Sequence, residues 1–132
     1  TFLFVDNNNE IVAFFSVAND SLNLKKDLKS IWNRLCRKIP NPKRRATYPA
    51  VLLARFGVKS SHQNRQLGSE IIEFIKGWFT IKNKTGCRFL IVDAYNKDSV
   101  LRFYKRNEFD HLLNDEDENT RKMYYDLKRS IP

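Results

Sequence analysis

Val58-Lys59-Ser60-Ser61-His62-Gln63-Asn64-Arg65-Gln66-Leu67-Gly68-Ser69 lies between the apolar run Val51–Val58 and a strongly periodic segment that opens near Gly68. Apolar run, polar loop and amphipathic helix in that order predict a strand whose loop delivers the chain to a helix N-terminus. Such a junction is built for anions. The first helical turn has backbone N–H groups without intrahelical partners, and the macrodipole adds roughly half a positive charge there. A pyrophosphate fits this description.

The remaining elements follow from hydrophobic spacing. Phe2–Val5 and Ile11–Val17 are β-rich runs separated by Asp6-Asn7-Asn8-Asn9-Glu10, and they predict a hairpin. Leu24, Leu28, Ile31, Leu35 and Ile39 recur at helical spacing until Pro40 and Pro42 stop the pattern. Tyr48–Val58 is nearly continuous in apolar residues, as a strand covered on both faces would be. Ile71, Ile72, Phe74, Ile75, Trp78 and Phe79 predict a helix with one wide apolar face, closed by Lys82–Gly86. Cys87–Val92 reads as a buried strand, Asn96–Arg106 as a helix, and Phe109–Leu113 with Met123–Leu127 as a closing pair of strands. The order β-β-α-β-α-β-α-β-β predicts an α/β mixed sheet in one domain over residues 1–132.

Composition narrows the function classes. Ten Phe, five Tyr and two Trp among 42% hydrophobic residues predict a packed globule. No run approaches the roughly 18 apolar residues of a membrane span, so the expectation is a cytoplasmic protein without a membrane partner. Cys36 and Cys87 have no metal-ligand spacing, and they are expected as reduced, buried thiols with no metal bound. The net charge of +9 is uneven: Lys25, Lys26, Lys29, Arg34, Arg37, Lys38, Lys43, Arg44 and Arg45 face Asp27 alone, whereas acids gather between Glu108 and Glu118. A basic segment with Trp32 and Tyr48 nearby suits a phosphate-rich partner; a solvated helix face accounts for the charge equally well.

The loop Gln63-Asn64-Arg65-Gln66-Leu67-Gly68, with Phe103-Tyr104 and Glu108-Phe109 further on, resembles the GNAT superfamily of N-acetyltransferases. In that family the loop reads Gln/Arg, any, any, Gly, any, Gly/Ala, and the later motif is Phe-Tyr followed by Gly-Phe. Gln66 and Glu108 stand where the family has Gly. If Gln66 must adopt positive φ, its Cβ costs about 1–2 kcal/mol. The resemblance covers nearly the whole chain from the family's second strand onward. It implies the GNAT fold, a mixed, mostly antiparallel central sheet with flanking helices, in a domain lacking the family's N-terminal strand and two helices.

The resemblance further implies acetyl-CoA as cofactor. Gln63, Asn64, Arg65, Gln66, Leu67, Gly68 and Ser69 would hold its phosphates. Backbone groups of Phe56, Gly57 and Val58 would pair with the pantetheine arm as an added strand, with Asn96 and Ser99 as further contacts or simply as helix caps. Tyr104 takes the family's role of protonating the departing thiolate. By themselves, Phe103 and Tyr104 read as core residues. A phenol of pKa ~10 and a thiol of ~8.5 are close enough for general acid catalysis, typically worth about 10²–10⁴-fold.

No strong base is legible. Glu70 and Glu73 are expected to face solvent, Asp93 to organise a turn, and His62 and His111 to lie at the surface. An acceptor amine of low pKa, such as an α-amine near 7.7–8.0, needs no such base. The stretch from the basic helix to Val58 is similar to the toxin-type GNATs that acetylate aminoacyl-tRNA. That likeness implies tRNA as partner, with Arg55, Lys43, Arg44 and Arg45 as substrate contacts, and a ribbon-helix-helix antitoxin. A homodimer is among the expected assemblies. The alternatives are a small-molecule or protein amine acetyltransferase, a subunit whose partner completes the pocket, and a catalytically degenerate domain that binds nucleic acid or CoA.

Overall fold

A computed structural model of the chain describes residues 1–23, 47–63, 66–83, 85–112 and 119–131. The expected helix from Leu24 to Ile39, Cys36 and the basic residues Lys43, Arg44 and Arg45 lie outside the described residues, as do Asn64 and Arg65. Among the described residues six strands form one sheet: β1 (Phe2–Val5), β2 (Ile11–Asn23), β3 (Thr47–Val58), β4 (Phe89–Tyr95), β5 (Asp110–His111) and β6 (Thr120–Asp126). Their spatial order is β1-β2-β3-β4-β6-β5. Only β3 and β4 run parallel; every other neighbour is antiparallel. Two α-helices are described, α1 (Leu67–Thr80) and α2 (Asp98–Arg106). The sheet and helices are those expected of an α/β, mostly antiparallel fold.

Local chemistry sets the turns. In the β1–β2 hairpin, the Asp6 carboxylate accepts hydrogen bonds from the Asn8 and Glu10 N–H groups at 2.8 and 3.0 Å, and Asn9 takes φ 61°. Asn tolerates left-handed backbone more readily than other residues with a Cβ. Those two backbone donors, the Glu10 N–H foremost, hold the Asp6 carboxyl below its ordinary pKa.

Several boundaries differ from expectation. β2 continues past Val17 to Asn23, because Ala18–Asn23 pair along Thr47–Leu52, although Leu22 alone of residues 18–22 is buried. β4 starts at Phe89 rather than Cys87, whose N–H is taken by the Thr85 hydroxyl. α2 starts at Asp98: Lys97 remains extended, and the Asn96 N–H bonds the Asn119 carbonyl. β5 is only two residues long, and Leu127 has left β6 for a 3₁₀ turn over Leu127–Ser130.

Both helices lie on one face of the sheet. There Ile71, Ile72 and Ile75 of α1 join Phe15, Val51, Leu53, Leu90, Val92 and Met123 in the main core, with Val100, Leu101 and Phe103 of α2 packed against it. The opposite face carries a smaller cluster that includes Tyr48, Ala50, Phe89, Ile91 and Tyr124. The wide apolar face expected of α1 divides in two. Phe74 and Trp78 are about half exposed and cover the edge strand, Trp78 meeting Phe2 edge-on at 4.6 Å and Phe74 meeting Phe4 at 5.9 Å.

Both non-glycine substitutions in the motifs keep the backbone a glycine would supply: φ is 62° at Gln66 and 69° at Glu108. Arg129 clamps the second, donating to the Glu108 carbonyl at 3.1 Å and to its carboxylate at 3.2 Å. Gln66 makes no side-chain capping bond at the start of α1. Gln66→Gly should therefore raise stability: relief of about 1–2 kcal/mol of left-handed strain outweighs the ~0.4–1 kcal/mol that glycine adds to unfolded-chain entropy. Urea melts should show a higher midpoint, and an unchanged or lower one would disprove the strain.

Candidate functional site

β3 and β4 are paired only from Ala50↔Phe89 to Leu53↔Val92. Beyond that point each follows its outer neighbour, β3 to Ala13↔Val58 and β4 to Tyr95↔Thr120, so the sheet forks. The cause is visible in the β2–β3 register. Ser16 faces Arg55 but Val17 faces Leu53, leaving Ala54 as an extra residue on β3. A bulge of this kind bends its strand and increases local twist. It falls on the residue directly after the last β3–β4 pair.

The fork leaves backbone groups directed into the gap. Lys59 donates its N–H to the Val12 carbonyl at 2.8 Å. Because hydrogen-bonded and non-bonded pairs alternate along an antiparallel ladder, Arg55 and Gly57 turn their N–H and C=O groups to β2, whereas Phe56 and Val58 turn theirs into the gap. The Gln63 side-chain amide donates to the Val58 carbonyl at 2.9 Å, folding the loop back over the strand end. The Val58 N–H is left directed into the gap.

After the 3₁₀ turn Ser60–His62, the loop ends at Gln66 and α1 begins with Leu67, Gly68 and Ser69. The Glu70 N–H bonds the Gln66 carbonyl at 3.0 Å, so the amides of residues 67–69 precede the helical ladder. The two glycines are explained by aromatic neighbours. A Cβ on Gly57 would come within 2.6 Å of the Phe14 ring, and one on Gly68 within 3.1 Å of the Phe103 ring. Gly68 thus leaves room for the Phe103 ring of α2, which is in turn stacked on Phe56 at 6.0 Å.

Tyr104 is buried between Phe103 and Phe109, meeting each ring edge-on at 5.1 and 5.4 Å. It belongs to the same cluster as Phe56, Val58 and Leu67, so the strand end, helix start and phenol share one face. Its hydroxyl bonds no described residue, while every sealed side-chain polar atom among the described residues has a partner. Burial pushes the phenol up to about 12, well above the ordinary 10. It therefore stays protonated across the neutral range, as a weaker acid toward a thiolate than an ordinary phenol.

Asn96 and Ser99 are exposed at the β4–α2 junction, and neither caps α2: the N-cap is Lys97, with no side-chain capping bond. Arg55 is exposed and, by alternation from Phe56, lies on the face opposite the helices. Among the described residues no strong base is assembled. Glu73 bonds Lys76 at 2.9 Å, Asp93 lies 3.8 Å from Lys122, and His62 contacts Ser61. The His111 imidazole is held below its ordinary pKa by burial, then by Lys105 and Arg121, with Asp110 opposing. No cluster of His, Cys, Asp or Glu among the described residues could hold a metal ion, and Cys87 is a buried free thiol. No described helix is long and apolar enough to cross a membrane.

Sequence reasoning missed Lys76 and Asn107. Lys76 is 2% exposed, donating to the Asn107 carbonyl at 2.6 Å and the Glu73 carboxylate at 2.9 Å, with its ammonium 4.1 Å from the Tyr125 ring centre. Its position four residues after Ile72, on the apolar side of the helix, was the available signal.

No protein-family model and no curated protein matches the sequence. Solved structures do match. The toxin AtaT complexed with acetyl-methionyl-tRNAfMet superimposes with a TM-score of 0.73 at 19% identity, over 95% of this chain and 68% of that one. A structure described only as a bacterial toxin gives 0.72 at 16% identity, over 96% and 66%. A Tyr-to-Phe mutant of KacT gives 0.67 at 21% identity, over 96% and 69%. The chain thus spans about two thirds of the length of these toxins and shares their GNAT fold.

Proposed function

We propose that the chain is an acetyl-CoA-dependent N-acetyltransferase whose first acceptor is the α-amine of aminoacyl-tRNA. The forked β3–β4 pair carries this reading, because an extended amide-bearing arm can pair with the open edge at Phe56 and Val58 as an added strand. A Tyr-to-Phe mutant of AtaT has also been solved bound to acetyl-CoA together with the C-terminus of the antitoxin AtaR. Acetyl-CoA supplies an acetyl group activated as a thioester. The Val58 N–H is directed where it can donate to a carbonyl oxygen, a contribution of about 10²–10³ in rate for one such donor. Tyr104 holds a proton that it can pass to a departing sulfur. The first-turn amides of α1, with Gln63, Asn64, Arg65 and Ser69, are the groups assigned to the phosphates.

The absence of an assembled base among the described residues agrees with an acceptor near pKa 7.7–8.0, which keeps a usable neutral fraction at physiological pH, rather than a lysine near ~10.4. Gln66 and Glu108 are among the sequence grounds for a degenerate domain. Both keep glycine-like backbone, which favours the active reading. The basic run is assigned to tRNA, and a ribbon-helix-helix antitoxin is the assigned protein partner.

Changing Lys43, Arg44 and Arg45 together to Ala should weaken tRNA binding and flatten its log–log salt dependence by roughly 2–3 units of slope, as expected for three lost phosphate contacts. Binding isotherms across a salt series test this; an unchanged slope would remove these residues from the interface. The experiment for the activity itself is transfer of labelled acetyl from acetyl-CoA to charged tRNA, with uncharged tRNA as the comparison.

A further inference from the structure

We infer that Asn107 is a positioning residue that fixes the Tyr104 phenol relative to the start of α1, an inference that rests on the acetyltransferase reading. Asn107 ends α2 three residues after Tyr104, and it is 6% exposed. Its side-chain amide donates to the Ser69 hydroxyl at 3.2 Å and to the Phe103 carbonyl at 2.9 Å. Its own N–H reaches the Phe103 and Tyr104 carbonyls at 3.2 and 3.1 Å, and its carbonyl receives the Lys76 ammonium. One buried residue therefore ties the last turn of α2 to both the first turn and the middle of α1.

The links are of the kind that fix position. Lys76 is a charge-assisted donor on a buried carbonyl, and groups of this kind are costly to leave unpaired. The Phe103 ring fills the space that a Cβ on Gly68 would need, which leaves α2 little room to move toward α1, while the Ser69–Asn107 bond limits movement away. With Ser69 assigned to the phosphates and Tyr104 to the sulfur, the brace sets the spacing between two ends of the same bound molecule.

Asn107→Ala removes the side-chain bonds yet keeps the backbone carbonyl, so Lys76 retains its partner. Its kcat should fall by roughly 10- to 100-fold, the scale on which a misplacement of about 1 Å acts, with a much smaller change in KM for acetyl-CoA. Ser69→Ala should shift kcat in the same direction and guards against poor folding of the first variant. On a Tyr104→Phe background, Asn107→Ala should cost nothing further, since the phenol it positions is gone. A merely structural residue would give additive losses, and additivity overturns the proposal.

An independent readout needs no turnover. With 3-fluorotyrosine at position 104, followed by ¹⁹F NMR against pH, Asn107→Ala should ionise at lower pH than the parent as the loosened turn admits water. An unchanged titration overturns the brace. A parent that transfers no acetyl group would instead sink the functional reading, and the titration would still decide the brace.

Discussion

Tyr104→Phe lowers kcat by about 10²–10⁴-fold, the range of a lost general acid, while the protein folds as before. The fold should persist because the ring makes the packing contacts with Phe103 and Phe109, whereas the hydroxyl bonds no described residue. Stability separates the two roles. Burial holds the folded phenol at about 12, above its unfolded value of 10, so the neutral form favours the fold. That contribution is complete below pH 10 and is lost as pH rises toward 12. The Phe variant should escape this alkaline loss and match the parent's melting temperature near neutrality. Steady-state rates and thermal melts in a pH series measure both effects, and a Phe variant as fast as the parent would remove Tyr104 from the chemistry.

Val58→Pro should abolish most activity with little loss of fold. The Val58 N–H points into the fork and takes no part in the β2 ladder, so proline removes the one donor assigned to the thioester carbonyl and spares the sheet. Proline is tolerated at such edge positions, where no ladder bond is lost. Turnover should fall by about 10²–10³-fold. Affinity for acetyl-CoA should also drop, because the added-strand pairing loses a bond. Gly57→Ala is the contrasting variant: its Cβ would press on Phe14 at 2.6 Å, so it should lose stability first. A folded Val58→Pro protein with parental kcat would place the carbonyl elsewhere.

The sequence carried the sheet and both described helices through hydrophobic period, and β1 and the end of β3 fell at their expected residues. It did not carry the length of β2. Asn19, Asp20 and Ser21 have poor strand propensity, and their pairing with Val51, Ala50 and Pro49 is a tertiary effect. The fork was equally invisible, because a bulge is a mismatch between two strands and neither Ala54 nor its neighbours mark it. Positive φ at Gln66 was foreseeable from the motif alone. The need for glycine at residue 68 beneath the Phe103 ring was not, since it depends on how α2 crosses α1. Asn96 and Ser99 as caps failed because Lys97 stays extended and sets the helix start one residue beyond itself.

Acetyl-CoA titration by calorimetry, on the parent and on folded Val58→Pro, bears most directly on the assignment of the fork as the cofactor site. Binding by the parent in the micromolar range typical of such substrates, and at least tenfold weaker binding by the variant, is the predicted result. No heat from the parent, or equal affinity in the two proteins, would contradict it.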